Sequence, residues 1–247
     1  YTTPYLVKWH IADGWATSPE LPGVRIPGAP FMGVIGLAPS HDQLRAWTVR
    51  EQACLERGGL VMVPDAAGAV PGTGRVASEG LRTIPPRENG GNMDVKQMQV
   101  GTTLLLPCFV DGCLLSIGDV HFAQGDGEVS GTAIEMDATV TVRLQVIPGL
   151  GLQVKQPQFH GGNQLKRLAP NKFHATVGYP LKKKGVIPPT HAYLDGSTIG
   201  PLSNLSEDVT LAARDALLRM VDWLKFNKGL SREQAYCLSS VAVDLRI

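Results

Sequence analysis

Residues 129–146 of the chain read VSGTAIEMDATVTVRLQV and alternate between apolar and polar side chains. The apolar side chains at every second position from Ile134 to Val146 would share one face of a strand, and Glu135 and Arg143 would lie on the other face. Such a period of two is typical of a β-strand that is buried on one side. We therefore predict a long strand over 129–146 and a β-rich core around it.

A second β signal precedes this stretch. Apolar residues at 102–110 and 113–119 flank Asp111-Gly112, a pair that favours a tight hairpin turn. Both arms are largely apolar, so we expect this hairpin to be central in the sheet. In its register Cys108 and Cys113 would be diagonal neighbours about 7–8 Å apart, which is marginal for a disulfide.

The composition agrees with a fold of many short strands. The 247 residues include 28 glycines and 18 prolines but only 6% aromatic residues, which favours strands and turns over a helical bundle. A formal net charge of +1 gives no reason to expect nucleic acid as a partner. No apolar run reaches the roughly 18 residues of a membrane-spanning helix, so we expect no membrane partner. The four cysteines form no Cys-x-x-Cys pair, and a reduced, cytoplasmic protein is the expectation.

Helix signals occur at two places. Ser40 with Gln43 predicts a capping box, and Gly58 predicts the end of that helix. After residue 203 the sequence changes character, and an apolar stripe at helical spacing begins after Ser206. Ser231 predicts the start of a further short helix, and residues 241–247 read as a final strand.

These signals predict a mainly β protein of the α+β class, with a β-sandwich-like core and a C-terminal helical element. Residues 1–203 would form the β-rich core. Residues 204–247 would add the C-terminal helices and the final strand as part of the same unit.

Residues with chemically useful side chains concentrate in one part of the chain. Between Glu88 and Glu135 stand Asn92, Asp94, Asp119, His121, Gln124, Asp126 and Glu128. Asp119 and His121 are two residues apart, so they would point to the same side of a strand. A carboxylate and an imidazole in one pocket suit a divalent metal such as zinc. An Asp-Gly-rich loop, with His121 bonded to a backbone carbonyl, explains the spacing equally well.

Three blocks in this region carry a family resemblance. Residues 85–94, PPRENGGNMD, resemble the Gly-Gly-Asn-x-Asp signature of the acetamidase/formamidase family. Residues 115–128, LSIGDVHFAQGDGE, are similar to the longest motif of that family, and residues 131–135, GTAIE, resemble the block that follows it. The similarity extends from about Leu21 to the C-terminus, and the chain looks closest to the formamidase branch.

The resemblance implies a fold that contains a β-sandwich, assembly into homo-oligomers and hydrolysis of short aliphatic amides. Formamide, and acetamide as a second substrate, would be cleaved to carboxylate and ammonia. Family members extend beyond both ends of this chain. Because it opens on Tyr1 without a methionine and ends on the strand-like run 241–247, we expect both ends to continue in a longer protein.

Residue chemistry and the motif match together suggest roles. A metal ion would acidify a bound water and polarise the amide carbonyl. The expected ligands of this ion, zinc or alternatively calcium, are Asp119, His121, Asp94 and Asp126. Glu135 or Glu128 would act as the general base that later delivers a proton to ammonia. Asn92 or Gln124 would hold the substrate amide.

Two alternatives remain open at this stage. A cysteine nucleophile is conceivable at Cys108 or Cys113, but thiols in an apolar hairpin are usually inert. The protein would otherwise be a non-catalytic β-sandwich binding module or an inactive subunit, with calcium held structurally by Asp94, Asp126 and Glu128. The identity of the metal would discriminate, because zinc with an open coordination position favours hydrolysis.

Overall fold

The computed structural model describes residues 2–59, 61–163, 165–169 and 172–246. Within them nine strands form three antiparallel sheets, with five α-helices and three short 3-10 turns between them. The α+β class predicted from the sequence is confirmed. The strands are β1 His10–Ala12, β2 Trp15–Thr17, β3 Arg25–Pro27, β4 Phe31–Gly36, β5 Gly90–Asn92, β6 Thr103–Leu105, β7 Ser116–Ala123, β8 Ile134–Glu135 and β9 Gln158–His160. The helices are α1 His41–Glu56, α2 Gly74–Glu79, α3 Gly196–Ile199, α4 Val209–Lys228 and α5 Arg232–Ala242.

The central sheet has the strand order β5-β4-β7-β8. Its middle strand β4 pairs with β5, where Val34 lies opposite Asn92, and with β7, where Phe31 lies opposite His121. On the far side β7 pairs with β8, and His121 lies opposite Glu135. The three sequence blocks that carry the family resemblance therefore contribute strands to one sheet.

Two groups of buried apolar residues stabilise the fold. One joins the first sheet, the central sheet and α5, and comprises Ala16, Ile26, Phe122, Ala123, Ile134 and Val241. The other lies between α4 and α5 and comprises Leu217, Met220, Val221, Leu224 and Ala235. Burial of one large aliphatic side chain contributes about 1.5–3 kcal/mol, so these groups account for a large part of the folding free energy.

The capping signals in the sequence identified helix starts correctly in two cases. At α1, Gln43 N–H donates to Ser40 Oγ over 3.2 Å, and Ser40 N–H donates to Gln43 Oε1 over 3.0 Å. Ser231 and Gln234 form the same capping box at α5. Helix α4 begins two residues later than predicted, because Asp208 rather than Ser206 is its N-cap.

Helix α1 also ties the segment before β5 to the fold. Glu51 on this helix is buried and forms a bidentate ion pair with the buried Arg87, at 2.7 Å to Nε and 2.9 Å to the guanidinium Nη2. The guanidinium lies over the ring of Trp47, 5.7 Å from its centre, and donates to the carbonyl of Arg82 over 2.7 Å. These contacts hold the stretch that leads into Gly90–Asn92.

The predicted hairpin over 102–119 is wrong. Its first arm, β6, pairs with β9 instead of β7. Cys113 and Leu114 both have positive φ, at 55° and 54°, so the chain turns away before a ladder can form between the two arms. The turn brings Cys108 and Cys113 together with their Cα atoms 5.1 Å apart, and they form a disulfide where the sequence had suggested two reduced thiols.

The long strand over 129–146 is also wrong in its extent. Only Ile134–Glu135 is a strand, because β7 ends at Ala123 and no other described strand lies beside the residues that follow. Ile134 is buried as predicted, but the far end of the same apolar face is exposed, with Leu144 at 71% and Val146 at 75%. The predicted final strand is wrong too, since α5 continues to Ala242 and its end packs into the core through Val241.

Among the described residues, no helix combines the length and the hydropathy required to cross a bilayer.

Candidate functional site

His121 is the centre of the polar cluster. It lies on β7 and is completely buried, with Phe31 of β4 packed edge-on against its ring at 5.1 Å. Its Nδ1 atom is 2.9 Å from Gln124 Oε1, and the amide of Gln124 donates to the backbone carbonyl of Asp94 over 3.1 Å. Because that second bond directs the Gln124 oxygen towards the ring, this oxygen is placed to accept from Nδ1, and Nε2 is the ring nitrogen that faces Asp119.

Carboxylates surround this Nε2 atom. Asp119 Oδ1 lies 3.2 Å from it, Glu135 Oε2 3.3 Å and Glu128 Oε1 4.0 Å. Asp94, Asp119 and His121 offer ligand atoms that all lie within 4.8 Å of one another, and His121, Glu128 and Glu135 do the same. The two groups share His121, so the structure brings together five of the residues singled out in the sequence.

Asp94 has an unusual environment. Its Oδ2 accepts a hydrogen bond of 2.5 Å from the Asn92 amide, whereas its Oδ1 is buried and has no hydrogen-bond partner. Burial is the main reason that the pKa of Asp94 rises to about 6. His121 lowers this pKa, whereas the negative charges of Asp119 and Glu135 raise it. An ionised carboxylate here needs a positive partner.

The pKa of Glu128 is raised as well. Burial, followed by the negative charge of Asp94, raises its pKa to about 7, while His121 acts in the opposite direction. Acidic groups with raised pKa values in a cluster are characteristic of functional sites.

The backbone at three of the carboxylates is strained. Asp94, Asp119 and Glu128 have φ values of 51°, 58° and 40°, in the left-handed region that side-chain-bearing residues seldom adopt. Each such residue costs on the order of 1–3 kcal/mol and occurs mainly where function requires a particular direction of the side chain. No sequence pattern announces these conformations.

Sequence reasoning missed Gly33 of β4. A Cβ atom at this position would lie 2.5 Å from Asp119 Oδ2, 2.6 Å from Asp94 Oδ1 and 2.9 Å from His121 Cε1. Only a residue without a side chain therefore allows the carboxylates to approach the strand. An available signal was the glycine inside the apolar run Phe31–Gly36, because glycine within a strand often marks a close approach.

The structure places Asp126 outside both groups, unlike the ligand role predicted for it. Its carboxylate pairs with the buried Lys96 at 2.9 Å and with Arg246. Lys96 also contacts Asp244, so the acidic side chains there are neutralised by cations of the protein itself. Asn92 and Gln124 likewise bond to Asp94 and His121.

The remaining residues fit a divalent cation. Two aspartates, two glutamates and one imidazole nitrogen offer hard and borderline donors, a set that zinc and related ions accept. The unpartnered Asp94 Oδ1 and Asp119 Oδ2 both lie against Gly33, on the same side of the cluster. A cation there would satisfy the buried oxygen and neutralise the crowded negative charge.

Comparison with known proteins gives matches along almost the whole chain. The sequence profile of the Acetamidase/Formamidase family matches residues 1–247. An acetamidase from Mycolicibacterium smegmatis is 32% identical, and the match covers 96% of this chain and 58% of that protein. A formamidase from Methylophilus methylotrophus is 31% identical over 95% of this chain and 56% of its own length.

A solved structure is similar as well. The gamma lactamase from Delftia acidovorans superposes with a TM-score of 0.76 and 32% sequence identity, over 95% of this chain and 56% of that one. The chain thus spans little more than half the length of these relatives. On the profile match, the identities and the shared fold, the chain belongs to the acetamidase/formamidase family.

Proposed function

We propose that the protein is an amidohydrolase that cleaves short linear amides, with formamide and acetamide as the first candidates. Water adds to the carbonyl carbon, the C–N bond breaks, and a proton passes to the departing nitrogen to give carboxylate and ammonia. The observation that carries this proposal is the position of three carboxylates around the buried Nε2 of His121, with Asp94 in the same cluster. The names of the relatives, acetamidase and formamidase, agree with it.

A divalent metal, zinc in the first instance, belongs to the proposal. Asp94, Asp119 and His121 would hold it, since they form one of the two compact groups and include the unpartnered oxygen. When bound, such an ion supplies an acidified water and an electrophile for the carbonyl oxygen. Gln124 acts as a positioning residue, because its contact with Nδ1 orients the ring so that Nε2 faces Asp119.

The two glutamates take the proton-transfer roles. Glu135 is 47% exposed at its side chain and borders a cavity, so it is placed to accept a proton from the attacking water. Glu128 lies 4.0 Å from His121 Nε2, and burial raises its pKa to about 7 in the metal-free protein; we assign this carboxyl the role of proton donor to the leaving nitrogen. Asn92 holds the Asp94 carboxylate, so we assign it a positioning role in place of substrate binding.

Further properties of the protein are part of the same proposal. We expect a β-sandwich-like core, a homo-oligomer, a cytoplasmic location and one folding unit made of 1–203 and 204–247. The last point is supported by the bonds from α5 to the site loop, where Gly125 N–H donates to the Ser240 carbonyl over 2.9 Å.

The alternative is a structural calcium site in a non-catalytic module. The observation that favours it is the number of carboxylates, because calcium prefers oxygen ligands. Against it stands the imidazole nitrogen of His121 at the centre of both groups, a donor that suits zinc.

The test combines metal content with ammonia release. Purified protein should contain close to one zinc per site and release ammonia from formamide or acetamide. His121→Ala should lose both the metal and the activity, while His10→Ala, on an exposed strand, should keep both. Calcium with a full shell and no ammonia from either amide would establish the structural alternative.

A further inference from the structure

Helix α5 carries two neighbouring buried serines, Ser239 at 1% exposure and Ser240 at 0%. A serine hydroxyl inside a helix commonly donates to the carbonyl four residues earlier, and Ser239 does so, to Ala235 over 2.8 Å. Ser240 instead donates to the backbone carbonyl of Thr132 over 2.6 Å. The Ser240 hydroxyl therefore connects α5 to another segment, whereas the Ser239 hydroxyl bonds within its own helix.

The Ser240 hydroxyl holds two points of the segment that leads into β8. Besides donating to the Thr132 carbonyl, it accepts from the Ser130 backbone N–H over 3.1 Å. A hydroxyl has one proton and two lone pairs, so it can form both bonds at the same time. Both partners are backbone groups, so these bonds fix the path of the chain. Residues 130–132 are thereby tied to α5, a helix whose end packs into the core through Val241.

The segment held in this way orients the carboxylate of Glu135. Its Oε1 atom accepts from the Ala133 N–H over 2.9 Å and from the Thr132 hydroxyl over 3.3 Å. Its Oε2 atom faces His121 Nε2 at 3.3 Å. The side chain is 47% exposed, so packing alone leaves it several rotamers. The two bonds to Oε1 therefore select the orientation in which Oε2 faces the imidazole.

The sheet by itself gives this carboxylate a short anchor. Strand β8 comprises Ile134 and Glu135, and its pairing with β7 is irregular between His121 and Ala123. Strand β8 is also the last strand in the order of the central sheet. A displacement of about 1 Å at a reacting group can cost about 10²-fold in rate, so an anchor outside the sheet matters for catalysis.

We propose that Ser240 is a positioning residue for amide hydrolysis, because its hydroxyl fixes residues 130–132 against α5 and so directs Glu135 Oε2 towards the reacting group. This inference rests on the proposed amidohydrolase function, in which Glu135 is the general base. Glu128 precedes the tied residues, and the bond from the Gly125 N–H to the Ser240 carbonyl does not involve the hydroxyl. Loss of the hydroxyl should therefore displace Glu135 and leave Glu128 in place.

The kinetic experiment measures ammonia release from formamide by zinc-loaded Ser240→Ala. Its kcat should fall by about 10- to 100-fold, as for other losses of a hydrogen bond that orients a site residue, with KM within about threefold of wild type and zinc content unchanged. Ser239→Ala is the matched control, because it removes an equally buried hydroxyl from the same helix, and it should keep the wild-type kcat.

A second variant covers a failure of Ser240→Ala to fold. Ser240→Cys keeps a side chain of similar shape, but a thiol is a weak donor and a weak acceptor. It should lower kcat at least about threefold, for the same reason and with KM again unchanged.

A double-mutant cycle separates positioning from general destabilisation. In a Glu135→Gln background, Ser240→Ala should lower the remaining kcat by less than about twofold, because the carboxylate that Ser240 directs is already lost. A wild-type kcat in both Ser240 variants, an equal loss in Ser239→Ala, or an equal loss with and without Glu135→Gln would overturn the assignment.

Hydrogen exchange tests the same assignment without turnover. In the Ser240 variants, the amides of Ser130 and Ala133 should exchange about tenfold faster than in wild type or Ser239→Ala, because Ser130 loses its acceptor and the carboxylate bonded to Ala133 is displaced. Unchanged exchange at Ala133 would contradict the proposal. If the wild-type protein releases no ammonia from any amide, the proposed function fails, and the exchange rates still decide whether Ser240 orients Glu135.

Discussion

His121 Nε2 lies 3.3 Å from Glu135 Oε2, directly across the antiparallel pair of β7 and β8. The two residues come from separate sequence blocks and meet because their strands pair in this register. The carboxylate reaches the Nε2 side of the imidazole, opposite the Nδ1 atom that Gln124 contacts. This contact links the candidate metal ligands to the cavity that Glu135 borders.

The roles of Glu135 and the cysteines can be separated. Glu135→Gln should lower kcat for formamide by about 10²–10⁴-fold, because it removes a general base and preserves the size of the side chain. Cys108→Ser should retain most of the activity, since this residue forms a disulfide with Cys113 and neither cysteine belongs to the groups around His121. The assay is ammonia release by metal-loaded protein, with circular dichroism to confirm folding. A folded Cys108→Ser protein without activity would instead support a thiol nucleophile.

Stability of the metal-free protein should fall as the pH rises. The folded-state pKa values of Asp94 and Glu128 are about 6 and about 7, above their ordinary values near 4. The folded state therefore binds more protons than the unfolded state in this window. The stabilisation from these groups is complete below about pH 4 and is lost as the pH rises through 6 and 7.

The measurement is the Tm of metal-free protein between pH 5 and pH 8. Asp94→Asn should flatten the decline, because the amide cannot ionise. Added zinc should reverse the decline of Tm, because zinc binds the ionised carboxylates. The affinity for zinc therefore grows as the pH rises from 5 to 8. A Tm that rises with pH in the metal-free protein would contradict the prediction.

Gly33→Ala should impair metal binding. The new Cβ would lie within 2.6 Å of oxygens of both Asp119 and Asp94, so at least one carboxylate must move. We expect a loss of at least about tenfold in zinc affinity, measured by calorimetry, as for other changes that displace metal ligands. Gly118→Ala on the neighbouring strand β7 is the control, because its Cβ would meet no atom within 4 Å. Equal zinc affinity in the two variants would show that metal binding does not depend on the close contact of the two carboxylates with Gly33.

The buried pair Glu51–Arg87 should be important for stability. Glu51→Gln leaves the buried guanidinium of Arg87 without its counter-charge, and removal of one partner of a buried pair costs about 3–5 kcal/mol. Urea unfolding measures the difference. Glu79→Gln breaks the exposed pair with Arg75 and should leave the unfolding curve unchanged. Similar curves for both variants would refute the structural role of the buried pair.

Sequence reasoning succeeded where the interacting residues are close together in the chain. The capping boxes at Ser40 and Ser231 were predictable, because every atom involved lies within three residues. Asp119 and His121 were found together because they are neighbours in sequence, and Asp94 followed from the motif match. The carboxylate of Asp126 was misplaced because its partner Lys96 is distant in the chain and carries no local signal.

The failures concern pairing between strands. Alternation tells which side chains share a face but does not say whether a neighbouring strand exists, so 129–146 was predicted as a strand over its whole length. Asp111-Gly112 does lie at a turn, yet the left-handed backbone of Cys113 and Leu114 directs the chain elsewhere. Neither residue type favours that conformation, and no pattern in the sequence signals it.

The exposed run that follows β8 has a consequence for the behaviour of the protein in solution. Residues 136–146 combine high β-propensity with alternating apolar side chains and contain no proline, the composition that promotes cross-β association between chains. Only Asp137 and Arg143 place charges along it, and these act as gatekeepers against self-association. Loss of Arg143 should therefore lower the solubility limit more than loss of an arginine on a helix, and turbidity at matched concentrations would measure it.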